Sequence, residues 1–372
     1  MRGLIKGFAS IKSIKKHAVD GYLYGRVGED HFVVIADEAT FNEEHLYECR
    51  ETLQNVLSDS VYNVRVCFGI YRTDNMNESL SFMCDKASFA VASIKDDTHS
   101  FIAYYDDTML EAAIKYKTIV DEFDDAIKAG EFKMYLQPQI SAKTRRLTGA
   151  EALVRRIKPD GTIISPIDFI PVYEKSGLIS RLDRYIWEQA AAKLGEWKKA
   201  GINMSISVNI SPKDFYYIDI FNTFAGLIKK YDIEPSNLKI EITETTIMSD
   251  VPNLMGELEE LRKAGFTLEM DDFGSGYSSL NTLKDINVDV LKVDMGFIKE
   301  TKNVKKSRII LASVIKMAKE LNLLIITEGV ETEEQVDNLT KLGCDVFQGY
   351  YFSKAIDVNE FEKRYLYRKK AG

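Results

Sequence analysis

The chain predicts an α/β architecture, a (β/α)8 TIM-like barrel preceded by a smaller α+β domain. Three observations carry this. At 372 residues the chain is too long for one ordinary core, and a barrel of about 250 residues plus a smaller domain accounts for it. From residue 132 onward, short β-rich segments alternate with helical stretches, and eight such segments can be counted, the barrel number. Polar residues fall at or just past the ends of seven of them in succession, where a barrel builds its working rim.

Composition narrows the function classes. Hydrophobic residues make up 45% and charged residues 28%, which are globular values. The net charge of −8 argues against binding nucleic-acid polymers, because no broad basic field can replace phosphate counterions. A small phosphate ligand stays open, since bound cations reverse the local sign. Cys49, Cys67, Cys84 and Cys344 lack paired spacing, so reduced thiols in a cytoplasmic protein are expected. No apolar run is long enough for a membrane span, and residues 1–16 mix lysines through their apolar positions, unlike a signal peptide. His17, His31, His45 and His99 all precede the barrel, so any metal centre in it must be built from Asp, Glu and Asn.

Residues 1–108 read as the first domain. Residues 22–36 have a hairpin-like pattern, 64–71 form a β-branched run and 85–94 have helical spacing. The turn Gly28-Glu29-Asp30-His31-Phe32 resembles the signature of GGDEF diguanylate cyclase domains. Glu29 stands where that family has its second glycine, and His31 where it has an acid. A Cβ and a negative charge beside a triphosphate both oppose binding. The resemblance further implies a missing first strand with its metal-binding aspartate, and residues 17–20 offer no inhibitory Arg-x-x-Asp. A degenerate, regulatory or dimerising module without cyclase activity is expected. Residues 109–130 place Ile114, Ile119, Val120, Phe123 and Ile127 at helical intervals, predicting a linker helix into a third segment, 131–372.

Barrel strands are expected at 133–140, 147–154, 205–210, 238–243, 267–271, 290–293, 323–327 and 346–351, with helices such as 182–200 and 307–321 between them. The richest stretch begins at Met270-Asp271-Asp272-Phe273-Gly274-Ser275-Gly276-Tyr277. Neighbouring side chains of a strand point to opposite faces, so Asp271 and Asp272 can share a site only where the strand stops, with Gly274 and Gly276 supplying the turn. Oxygen-only ligands there suit magnesium, manganese or calcium. A solvated turn would use the same residues. Glu151, Asn209, Glu241, Lys292, Glu328 and Gln348 occupy the other strand ends, and convergence on one rim makes separate solvated turns a poor account of them.

These residues lie in longer strings: Glu151-Ala152-Leu153-Val154-Arg155, Ser207-Val208-Asn209-Ile210-Ser211, Glu241-Ile242-Thr243-Glu244, the run from Asp271, Lys292-Val293-Asp294, Glu328-Gly329-Val330-Glu331-Thr332 and Gln348-Gly349-Tyr350. Over about residues 115–365 the chain resembles the EAL family of bacterial cyclic di-GMP phosphodiesterases. The resemblance implies two divalent cations, Mg²⁺ or Mn²⁺, with Glu151, Asn209, Glu241, Asp271, Asp272 and Glu328 as metal ligands. It implies that Lys292 holds the attacking water and that Gln348 orients substrate or water. Gln137, Leu153, Arg155 and Asp294 would contact cyclic di-GMP, and Glu244 and Glu331 would steady the loop after Asp272. A homodimer through the EAL domain is implied as well. Strand parity puts Glu269 one layer below Asp271 as a further acid.

Ser275, Arg156 and Ala355 depart from the family's usual threonine, aromatic and proline without removing a ligand. The expected activity is metal-dependent opening of cyclic di-GMP to linear pGpG. A non-catalytic receptor acting through protein contacts is the alternative, but it would be expected to have lost ligands. A bifunctional cyclase and phosphodiesterase is opposed by Glu29 and His31.

Overall fold

The computed structural model describes residues 2–7, 22–28, 31–57, 65–73, 75, 77–95, 97, 99–249, 251, 253–274, 283–284, 286–295 and 304–367. The chain divides into two compact units, Met1–Ile119 and Val120–Gly372. Among the described residues no helix is long and apolar enough to cross a membrane.

The first unit is α+β. Its sheet runs in the order β2-β3-β1-β4-β5, built from β1 (Arg2–Gly7), β2 (Leu23–Arg26), β3 (Phe32–Asp37), β4 (Phe68–Thr73) and β5 (Ile102–Tyr104). The expected hairpin forms with Leu23 opposite Ile35, and the Val27 N–H donates to the His31 carbonyl at 2.9 Å across its turn. Glu29 and Asp30, the centre of the altered signature, lie outside the described residues, as do His17 and Asp20. Helices Glu44–Leu57 and Leu80–Ser93 contribute buried Leu46, Leu53, Cys84 and Ala87 to the sheet's core. At Gly69 a Cβ would stand 2.0 Å from the Ala87 carbonyl oxygen, so only glycine lets the second helix lie this close to β4.

The single helix expected over 109–130 is two, Asp107–Asp121 and Phe123–Lys128. The first buries no residue, and its Ile114 side chain is exposed. The second buries Phe123 and Ala126, with the Phe123 ring set against Phe132 and Tyr173.

The second unit is a closed barrel. Its ring comprises β6 (Phe132–Ser141), β7 (Leu147–Ile157), β9 (Ile206–Ile210), β10 (Leu238–Thr243), β11 (Leu268–Asp271), β12 (Val290–Asp294), β13 (Leu324–Glu328) and β14 (Val346–Phe347), closing back onto β6. Short strands β8 (Ile163–Ile164) and β15 (Ile356–Asp357) attach outside the ring. One feature differs from a uniform β/α repeat: β6 runs antiparallel to both of its ring neighbours, β7 and β14. Only five residues, 142–146, join β6 to β7, too few for the crossover helix that a parallel pair needs. The last expected strand, 346–351, shortens to two residues because the chain turns at Gly349.

Alternation along the strands sets the two barrel faces. Ile206, Val208 and Ile210 on β9, and Ile240 and Ile242 on β10, are buried toward the helices, while Asn209 and Glu241 stand paired in register between them. Val290, Ile326 and Val346 form one buried cluster on the same strand faces as Lys292, Glu328 and Gln348, two residues further along each chain. An apolar floor therefore underlies the polar layer. Opposite the rim, the carboxylates of Asp289 and Asp345 accept from the Leu268 and Ile325 N–H groups at 3.0 and 2.9 Å and order the strand starts.

Arg156 proves to be a buried clamp. It donates to Glu122 at 2.7 Å and to Glu131 at 2.9 Å, tying the Phe123–Lys128 helix to β7. Replacing Arg156 by Leu leaves the half-buried Glu131 without its cation. This should lower the unfolding free energy by about 3 kcal/mol in urea titrations. Adding Glu131→Leu should restore part of the loss.

Candidate active site

Strand register brings the sequence-predicted residues to one rim. Glu151 lies opposite Gln137 on β6 and beside Ser207 on β9. Asn209 pairs with Glu241, Glu241 with Glu269, and Asp294 with Glu328. The end of β9 is held from outside, where the Trp187 indole donates to the Asn209 carbonyl at 2.9 Å from the helix Ile179–Lys199. At the end of β11 the turn is made by Asp272 itself, whose φ of 55° is left-handed, followed by Gly274 at 102°. The sequence reading assigned that turn to Gly274 and Gly276; Ser275, Gly276 and Tyr277 lie outside the described residues. Aspartate tolerates this conformation, and its amide donates to the Asp271 carboxylate at 2.9 Å.

The centre is a lysine. Lys292 Nζ lies 2.7 Å from Glu328, 2.8 Å from Glu241, 3.3 Å from Asp271 and 3.4 Å from Glu151, and its side chain is fully buried. Asn209 donates to Glu151 at 3.3 Å. Gln348 donates to the other Glu151 oxygen and to Gln137 at 3.2 Å. Asp272 stands at the exposed edge. Glu269 is buried one layer lower, as parity predicts, but it pairs with Lys239 at 2.9 Å.

The remaining predicted residues, Glu244 apart, border two cavities. Gln137, Asp294, Glu328, Glu331, Gln348 and Tyr350 border one of about 310 Å³. Leu153 and Arg155 border the other, about 260 Å³, with Asn209, Glu174 and Asp183. Arg155 donates to the Val154 carbonyl at 2.7 Å and lies 5.9 Å from the Tyr135 ring centroid. Glu244 is buried at the first turn of the short helix Glu244–Met248. Gly349 permits the turn that carries Gln348, since a Cβ there would meet the Val330 backbone at 2.2 Å.

Sequence reasoning missed two groups. Gln139, two residues from Gln137 and on the same strand face, is buried beside Gln348; that period-two spacing was the available signal. Asp183 and Asp214 lie within helices whose patterns gave no sign of them. Burial, then the neighbouring Asp214 charge, raises Asp183 well above the usual carboxylate range. Burial also pushes Asp214 up to about 6, although Ser180 and the Ser211 amide favour its ionised form.

Four carboxylates against one ammonium leave three uncompensated negative charges if all are ionised. Burial alone would pull Lys292 down, but Asp271, Glu151, Glu241 and Glu328 more than offset it and hold the ammonium well above the usual lysine range. Burial, followed by the Glu151 charge, raises Glu241 well above its ordinary value despite Lys292. Burial pushes Glu328 up to about 8 against the pull of Lys292, with Asp271 and Glu151 adding to the rise. Glu241 Oε1 is buried and accepts no hydrogen bond. Among the described residues no group of three or more His, Cys, Asp or Glu side chains is spaced to hold a metal ion. In donor chemistry, however, the all-oxygen set and its excess charge fit hard divalent cations.

A carboxyl whose folded pKa lies above its unfolded value keeps a proton that the unfolded chain releases, so stability falls as pH rises between the two values. For Glu328 that window runs from 4.5 to about 8, and Asp214 adds to its lower part, from 3.8 to about 6. With chelator present, the urea midpoint should decline steadily from pH 5 to pH 8, and saturating Mg²⁺ should flatten the decline near neutrality. A chelated protein equally stable across that range would refute this account of the charge.

With this geometry in view, comparisons with known proteins are specific. The family model described as EAL domain matches residues 120–355. The chain is 31% identical over 358 residues to the signaling protein YkoW of Bacillus subtilis, covering 95% of this chain and 45% of that protein. It is 29% identical over 342 residues to MucR of Pseudomonas aeruginosa, named a bifunctional diguanylate cyclase/cyclic di-GMP phosphodiesterase, covering 90% of this chain and 50% of that one. The chain thus spans about half the length of these curated relatives. The solved PaMucR phosphodiesterase in complex with c-di-GMP superposes with a TM-score of 0.62 at 32% identity, covering 66% of this chain and 99% of that structure. A family model that matches well over half of the chain, residues 120–355, makes this chain a member of the EAL domain family.

Proposed function

We propose that the barrel hydrolyses cyclic di-GMP to linear pGpG in a metal-dependent reaction. The observation that carries this is the cluster of Glu151, Glu241, Asp271 and Glu328 within 3.4 Å of Lys292 Nζ, with Asn209 and Asp272 completing the ligand set at the same rim. Two divalent cations, Mg²⁺ or Mn²⁺, held by these six residues would acidify water and offset phosphoryl charge. Lys292 holds the attacking water and counters the negative charge that develops on the phosphate oxygens. Gln348 fixes the orientation of the reacting group. Arg155 forks onto a phosphate outside the carboxylate ring, while Gln137, Leu153 and Asp294 line the surface on which the dinucleotide rests. Water adds to phosphorus, one P–O3′ bond breaks, and the released 3′ oxygen takes up a proton. Glu244 and Glu331 support the loop that follows Asp272.

Residues 1–108 serve as a degenerate GGDEF-like regulatory module, with 109–130 leading into the phosphodiesterase domain at 131–372. The barrel forms the homodimer contact, and the protein works in the cytoplasm. Relatives named cyclic di-GMP phosphodiesterase, such as PA2567 of Pseudomonas aeruginosa at 30% identity over 261 residues, support the substrate class.

Incubation of cyclic di-GMP with the protein and Mg²⁺ or Mn²⁺ should yield pGpG. Glu151→Ala and Lys292→Ala should each lower kcat by at least about 100-fold, the scale on which removing one electrostatic group from an active site acts. Tight binding of the dinucleotide by metal-loaded wild type without turnover would replace this reading with a receptor. Cyclic di-GMP made from GTP would overturn the regulatory assignment of the first unit.

A further inference from the structure

Gln139 has no part in the reaction just described. It is 1% exposed, and its Nε2 donates to Gln348 Oε1 at 3.2 Å. Gln348 in turn donates its own Nε2 to Glu151. A primary amide has one donating and one accepting end, whereas a carboxylate only accepts. Gln348 must therefore turn its nitrogen to Glu151, which sends its oxygen into the barrel wall. There Gln139 supplies the donor. With the amide reversed, oxygen would face carboxylate and nitrogen would face nitrogen, leaving two buried groups unpaired.

The wall is shaped for this contact. Gln139 lies opposite Gly149 in the β6–β7 ladder. A Cβ at Gly149 would stand 2.9 Å from Gln139 Oε1 and 2.7 Å from Ser205 Oγ, so the missing side chain makes the room in which the Gln139 amide lies. The antiparallel pairing of Phe347 with Ile140 carries the next residue, Gln348, alongside Gln139.

We propose that Gln139 is a positioning residue that locks the Gln348 amide with its nitrogen toward Glu151. The proposal rests on the hydrolytic reading of the rim. Two variants test it. Gln139→Met keeps the length and removes the donor; it should lower kcat about ten-fold, the worth of one buried hydrogen bond, with KM unchanged. Gln139→Glu keeps the shape and makes the contact titratable. Its activity, relative to wild type, should fall as pH rises and recover toward acid pH, where the protonated carboxyl again donates to Gln348 Oε1. Wild-type kcat and pH profile in both variants would overturn the proposal, as would a pH-independent loss in Gln139→Glu, which marks a packing role only.

If wild type itself turns nothing over, the hydrolytic reading fails, and the orientation is decided by NMR. Side-chain amide protons of Gln348, assigned by their absence in Gln348→Glu, should exchange slowly in wild type and quickly in Gln139→Met. Equal exchange rates would sink the proposal. If Gln139→Met does not fold, Gln139→Glu provides the same comparison, its exchange rate taken relative to wild type at the same pH, above and below the titration of the introduced carboxyl.

Discussion

One buried ammonium organises the second unit. Lys292 sits where four carboxylate-bearing strands converge, and its own complete burial keeps solvent from weakening its attraction for them. Four acids forced together this way would repel one another strongly enough to oppose closure of the barrel. Lysine compensates part of that charge, and raised proton affinities at Glu241 and Glu328 absorb more. The remainder is a standing preference for cations. Structural need and chemical capacity therefore coincide: the negative charge that must be relieved for folding is also the charge that can hold divalent ions.

That concentration of charge depends on what lies around it. Val290, Ile326 and Val346 close the barrel below the polar layer, keeping water from the floor, while outward Ile and Val residues hold the strands to their helices. The antiparallel strand β6 adds a second ingredient. Paired with β7 on one side and β14 on the other, β6 lays Gln137 and Gln139 along the inner wall, between Glu151 and Gln348. Neutral amides here orient the charged groups without adding to the excess.

Legibility in the sequence followed the range of the interactions. The barrel strands were readable because each is a short apolar run with its own turn signals, and their ends carried unlike residues at a recurring place. Asp271 and Asp272 identified themselves by adjacency at a strand end. The direction of β6 was less visible, since an apolar alternation is the same read either way; only the five-residue connection at 142–146 hinted at it. Arg156 was visible in the sequence only as a departure from the usual aromatic and proved to be a clamp, because Glu122 and Glu131 reach it only after the chain folds.

The sequence by itself determined the two-part organisation, the barrel class, and the set of polar residues that gather at the strand ends. These follow from local periodicity, composition and motif spacing. Tertiary structure decided that Lys292 is the shared centre of four carboxylates, that Glu269 answers to Lys239, and that Gln139 stands behind Gln348. Each of those facts is a distance between strands far apart in the chain. Such distances are set by register and closure, which no single segment encodes.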